Sequence, residues 1–200
     1  MTAGDTHLPQ ITLATRVTIV RILGIPVFVL LMLYYFLSIR NGQPEESYRL
    51  ASLVCFILII ATDALDGYLA RSRDEVSRLG QILDPIADKL LVLSALVLLT
   101  RPYQEAFQPQ LPLWFATLLI SRDIFIVAGC LVIQSVKHKV EVRPRWSGKL
   151  STFLVAGTIA LVLLPAPQIV INGFLITSGI CITISWFQYL QDGMKQLHTP

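Results

Sequence analysis

Residues 63–88 read DALDGYLARSRDEVSRLGQILDPIAD, a spacing of D-x2-D-G-x2-A-R-x8-G-x3-D-x3-D. The stretch closes one apolar run of membrane length and opens the next. It places four carboxylates, Asp63, Asp66, Asp84 and Asp88, at the inner ends of those runs. A carboxylate in or beside hydrocarbon costs on the order of a few kcal/mol, so an ionisable group there is a functional candidate by default. Four of them repel one another unless a cation sits between them. Positions 63, 66, 67 and 70 are three or four apart and share one stripe of a helix. Asp84 and Asp88 are i,i+4 and share a face of the next. A polar connection over 71–80 lets the two helices run antiparallel, so that their acidic faces meet. Gly67 and Ala70 leave an open surface on which a substrate can approach backbone.

The surrounding chain is that of an integral membrane protein. It has 200 residues, 54% hydrophobic and only 14% charged, with a mean hydropathy of +0.65. Long apolar stretches of this kind are rare in soluble domains. A net charge of +3 is modest and calls for no nucleic-acid partner. Cys55, Cys130 and Cys181 lie within apolar stretches without metal-ligand spacing and read as small buried hydrophobes. The expected fold is all-α: one polytopic membrane domain over residues 1–200, a bundle of six transmembrane helices. Spans are expected at about 17–39, 50–70, 81–99, 111–136, 150–164 and 169–190, most of them near the length a crossing helix needs. Residues 1–16 are polar at first, lack the basic start of a signal peptide and read as a cytoplasmic segment.

Basic residues set the orientation. With the N-terminus inside, the inner flanks hold 11 Lys and Arg residues, and the outer flanks hold only Arg40, Arg49 and Arg101. Both termini and the aspartate cluster are therefore expected to face the cytoplasm. Converging carboxylates are hard oxygen ligands suited to Mg²⁺ or Mn²⁺. Such a metal can bridge phosphate oxygens in a displacement at phosphorus, and a carboxylate left partly free can act as general base. Arg71 lies beside the cluster and can grip a phosphate. The bland alternative pairs the aspartates with Arg71, Arg73, Arg78 and Lys89 in surface bridges. A rival of another class is a divalent-metal or proton-coupled transporter. Its acids are expected near the bilayer midplane, often on broken helices, rather than at the cytoplasmic ends.

The motif is that of the CDP-alcohol phosphotransferase family, whose signature the chain resembles at every defined position between Asp63 and Asp88. The resemblance implies cleavage of the pyrophosphate of a CDP-linked lipid, release of CMP and transfer of the phosphatidyl group to an alcohol. It implies Asp63, Asp66, Asp84 and Asp88 as metal ligands, with Asp88 also the base that deprotonates the acceptor hydroxyl. Asp66, Gly67, Ala70, Arg71 and Gly80 would line the CDP pocket. DALDGYL at 63–69 and LDPIADKLL at 83–91 look like the branch that makes phosphatidylglycerophosphate and cardiolipin. TRVTIVRI at 15–22 resembles that branch's Asn-Leu-Leu-Thr-x-x-Arg-Ile, with Thr15 in place of Asn and Thr18 and Arg21 matching.

For the acceptor or lipid phosphate the candidates are Arg21, Arg122, Arg145 and Lys149, the last in a Gly148-Lys149 pair that the branch shares. Arg122 and Asp123 alternatively form an internal pair that orients helices. One departure bears on the acceptor. Arg122-Asp123 stands where phosphatidylglycerophosphate synthases commonly show Arg-Glu, and AGCLVIQ at 128–134 lacks their second Arg. ISRDI at 120–124 looks like cardiolipin synthases of this fold. The leading expectation is transfer from CDP-diacylglycerol to glycerol-3-phosphate, with phosphatidylglycerol as the alternative acceptor. By analogy with the family, the chain is expected to form a homodimer among membrane lipid, in a bacterial inner membrane.

Overall fold

The computed structural model describes residues 13–73, 78–100, 107, 109–137 and 146–198. Side chains are described over 21–62, 86–100, 107, 109–129, 131, 135 and 146–194. The described residues form six helices: α1 (Leu13–Arg40), α2 (Glu46–Arg73), α3 (Arg78–Leu99), α4 (Leu113–Lys137), α5 (Trp146–Leu163) and α6 (Gln168–His198). Each covers one expected span. The chain divides into two compact units, 1–94 and 95–200.

In the first unit α1 packs against α2. The turn between them is a glycine-closed helix end. Gly42 takes φ +75°, the left-handed conformation that costs glycine nothing. Its N–H donates to the Ile39 carbonyl at 3.0 Å, and that of Gln43 to Ser38 at 3.1 Å. These two bonds satisfy carbonyls that the helix end would leave open. Ser38 Oγ then accepts from the Glu45 N–H at 3.1 Å, and Tyr35 donates its hydroxyl to Glu46 at 2.9 Å. Arg49 lies over the Tyr35 ring at 5.8 Å and 3.8 Å from Glu46. Tyr35 is thus buried in a polar clasp, not exposed in an aromatic belt, whereas Tyr34, Trp114 and Trp146 are exposed.

Below the clasp, the interface depends on one small residue. A side-chain carbon at Gly24 would meet Ile59 Cγ1 and Cδ1 at 3.0 Å. Cys55 lies beside the same spot, its Sγ 3.7 Å from the Gly24 carbonyl. Phe28 and Phe56, both fully buried, meet at 5.7 Å.

In the second unit α6 packs against both α5 and α4. Leu164–Pro167 forms the short connection between α5 and α6, with Leu164 N–H on Ala160 at 2.8 Å. Gly179 lets the Trp114 ring lie where a Cβ would be 3.3 Å away, and Gly157 does the same for Phe174 at 3.4 Å. Small residues serve helix contact in this way within bilayers. Three buried hydroxyls of α5 and α6 are satisfied within their own helices: Ser151 bonds the Gly148 carbonyl at 2.8 Å, Thr158 that of Leu154 at 2.8 Å and Ser178 that of Phe174 at 2.6 Å.

The outside is apolar. Leu23, Val27, Leu30, Tyr34 and Leu37 form an exposed stripe along α1 at spacings of four and three. Large apolar patches of this kind on a soluble monomer mark a binding surface or an aggregation hazard; here they suit lipid. Among the described residues, three stretches combine the length and apolarity to cross a bilayer: Arg21–Arg40, Trp146–Leu163 and Gln168–Met194, with mean hydropathies of 2.4, 1.4 and 1.8. The chain is a membrane protein.

The close approach at Gly24 gives a stability test. Gly24→Val should overpack the α1–α2 contact and cost about 1–3 kcal/mol, read as a lower thermal midpoint of the purified protein in detergent. Ile59→Ala in the same chain should recover part of that loss. Strictly additive losses would show that the two residues do not share the space.

Candidate active site

The motif falls where two helices of the first unit end and begin. Asp63, Asp66, Gly67, Ala70 and Arg71 lie in the last turns of α2, and Gly80, Asp84 and Asp88 in the first three turns of α3. Among these residues Asp88 has a described side chain; the side chains of the other seven lie outside those described, as does Arg145 altogether. What the helices show is a donor set of four carboxylates carried by two consecutive helices, the type of oxygen ligand that suits Mg²⁺ or Mn²⁺.

Arg21 joins this end of the site from α1. Its guanidinium donates from Nη1 to Asp88 Oδ1 at 3.5 Å. The two partners differ in exposure: the Arg21 side chain is 1% exposed and that of Asp88 is 52% exposed. A buried cation thus stands against a half-exposed carboxylate. Burying an arginine is costly unless charge and hydrogen bonds compensate, and Asp88 contributes to that compensation. The arrangement gives the carboxylate a fixed partner while leaving about half of it exposed. The fold sets Arg21, a phosphate candidate in the sequence, beside the proposed base.

The second unit holds a different polar cluster. Arg122 on α4 is 8% exposed. It donates from Nη2 to Ser185 Oγ of α6 at 3.3 Å and from Nη1 to its neighbour Asp123 at 3.5 Å. Its Nε is buried without a hydrogen-bond partner among the described residues. Gly148, in the first turn of α5, lies against the same group: a Cβ there would be 3.4 Å from Arg122 Nη2, 3.1 Å from Tyr189 Oη and 3.7 Å from Ser185 Oγ. Ser147 fixes this turn to α6 by donating to Gln188 at 2.6 Å. Lys149 follows immediately and is exposed. Arg122 thus lies against Gly148, the residue before Lys149, at the start of α5. Ser185 and Tyr189 were not anticipated. A serine or a tyrosine in an apolar helix carries no distinctive signal.

These features come with an end-to-end likeness. The family model described as CDP-alcohol phosphatidyltransferase matches residues 11–187. The chain belongs to the CDP-alcohol phosphatidyltransferase family. A CDP-diacylglycerol–glycerol-3-phosphate 3-phosphatidyltransferase of Yersinia enterocolitica is 30% identical over 201 residues, covering 96% of this chain and 100% of the relative. Proteins of the same name from Aquifex aeolicus and Bacillus subtilis are 33% and 35% identical, each covering 76% of this chain and 85% and 76% of the relatives. The match to the CDP-alcohol phosphatidyltransferase family encloses both the aspartate motif and the Arg122 cluster.

Arg122 offers a way to separate binding from stability. A guanidinium has five N–H donors, and the described residues engage two of them. A buried ion with donors to spare contributes little net stability, and replacement by an apolar residue of similar size is often neutral or stabilising. Arg122→Met should leave the thermal midpoint unchanged or raised. A drop of the kind expected from losing about 3 kcal/mol would mark Arg122 as a pin between helices.

Proposed function

We propose that this protein transfers the phosphatidyl group of CDP-diacylglycerol to glycerol-3-phosphate, giving phosphatidylglycerophosphate and CMP. The observation that carries this reading is the similarity, over nearly the whole chain, to a relative bearing that activity in its name. The intact D-x2-D-G-x2-A-R-x8-G-x3-D-x3-D motif supports it. The rest of the architecture in this proposal is a six-span bundle in a bacterial inner membrane, with the site and both termini on the cytoplasmic side. The protein works as a homodimer.

The proposed roles follow from the chemistry of each group. Asp63, Asp66, Asp84 and Asp88 hold Mg²⁺ or Mn²⁺, which when bound neutralises charge on the pyrophosphate. Asp66, Gly67, Ala70, Arg71 and Gly80 receive the CDP moiety; the small residues allow close approach and Arg71 grips a phosphate. Asp88 takes the proton of the acceptor hydroxyl. The freed oxygen forms a bond to the lipid-side phosphorus as the bond to the CMP oxygen breaks, and CMP leaves with that electron pair. The half-open carboxylate of Asp88 suits a base that must reach a substrate. Arg21 behind it holds it in place. Arg122 and Lys149, with Arg145, hold the phosphate of the acceptor by charge-assisted hydrogen bonds. Most of the rate then comes from positioning and electrostatics.

Two measurements test this reading. Purified protein given CDP-diacylglycerol and Mg²⁺ or Mn²⁺ should release CMP with glycerol-3-phosphate and not with phosphatidylglycerol; product from phosphatidylglycerol alone would overturn the acceptor. Chelation should stop release, and either metal should restore it. In the second measurement, Asp88→Asn should lower turnover by about 100-fold or more while still binding CDP-diacylglycerol. Normal turnover by that variant would remove Asp88 from the role of base.

A further inference from the structure

We infer that Ser185 on α6 is a positioning residue for the acceptor phosphate, acting through Arg122; this rests on the reading of Arg122 as a phosphate ligand. Four Ser and Thr side chains are buried in α5 and α6: Ser151, Thr158, Ser178 and Ser185. The first three donate to a carbonyl of their own helix three or four residues back, the ordinary way to satisfy a hydroxyl in an apolar helix. Ser185 departs from this pattern. Its recorded bond is across to α4, where its oxygen accepts from Arg122 Nη2 at 3.3 Å. Asp123 accepts from Nη1 at 3.5 Å on the other side.

The guanidinium is therefore held at both terminal nitrogens, and its buried Nε has no partner among the described residues. An arginine kept for stability alone is expected to use its donors on the protein, because each buried polar atom left unpaired is costly. An arginine held at two corners with donors in reserve is preorganised for an oxyanion, which guanidinium binds with two parallel hydrogen bonds. Gly148 contributes by having no side chain. A Cβ there would be 3.4 Å from Nη2, so the first turn of α5 can approach the guanidinium as closely as it does. Ser185 thus fixes the plane of the fork, and less rotational freedom is lost when the ligand arrives.

The test uses the full chain in detergent with phospholipid. Binding of glycerol-3-phosphate, and of inorganic phosphate as a minimal probe, is titrated calorimetrically without CDP-diacylglycerol. The KM of each substrate is measured separately. Ser185→Ala should weaken glycerol-3-phosphate and phosphate by about tenfold, the effect of one hydrogen bond to a charged group. KM for glycerol-3-phosphate should rise in step and KM for CDP-diacylglycerol should stay within about twofold of wild type. Ser185→Thr, which keeps the hydroxyl, should restore both. Wild-type binding by Ser185→Ala overturns the inference and leaves the proposed reaction standing. So does weakening of both substrates together without rescue by threonine, which marks Ser185 as a packing residue. If the wild type neither binds nor consumes glycerol-3-phosphate, the acceptor assignment itself fails, and the role of Ser185 fails with it.

Discussion

A charge placed at the edge of hydrocarbon must be compensated, and this constraint shapes every polar feature of the protein. The described residues meet it in two ways. Arg21 is buried and Asp88, 3.5 Å away, is half exposed. The ion pair therefore helps compensate the buried arginine and leaves the carboxylate half exposed. Arg122 is buried with fewer acceptors than donors. The first arrangement suits a group that moves a proton; the second suits a group waiting for an anion. Neither resembles the exposed Lys–Asp bridges that decorate soluble proteins and contribute little to stability.

The apolar framework makes these arrangements possible. Close helix contact comes from residues with little or no side chain, Gly24 against Ile59 and Gly179 against Trp114. Hydroxyls that would be liabilities in a membrane are satisfied within their own helices, leaving Ser185 as the one buried hydroxyl of α5 and α6 spent on a cation. The α1–α2 hairpin is closed by a left-handed glycine and the Tyr35–Glu46–Arg49 clasp. Because that hairpin orders α1, it also carries Arg21 toward α3. Packing far from the chemistry in this way sets the position of a residue within it.

Membership of the CDP-alcohol phosphatidyltransferase family gives both polar clusters a common purpose. The reaction joins two phosphorylated substrates, one of them a lipid nucleotide. It needs a cation-binding carboxylate set and a place for the second phosphate. In the proposed roles, the motif carried by α2 and α3 would answer to the first need and the Arg122–Gly148–Ser185 cluster to the second.

The six helices and their approximate limits were legible in the sequence, because apolar runs of membrane length leave a backbone few options but to bond within a helix. The Gly and Ala offsets among four aspartates likewise pointed to chemistry, since those residue types have no reason to recur at that spacing in a merely apolar helix. Pairings across helices were not legible. That Arg21, a phosphate candidate in the sequence, lies beside Asp88 emerges only when α1 packs; Tyr35 and Tyr189 gain their polar neighbours only in the packed helices; Ser185 did not stand out at all. Periodicity along a chain reports which face of a helix is apolar. Which face meets which partner depends on side-chain volumes at contacts such as Gly24–Ile59, and that is decided only when the helices pack.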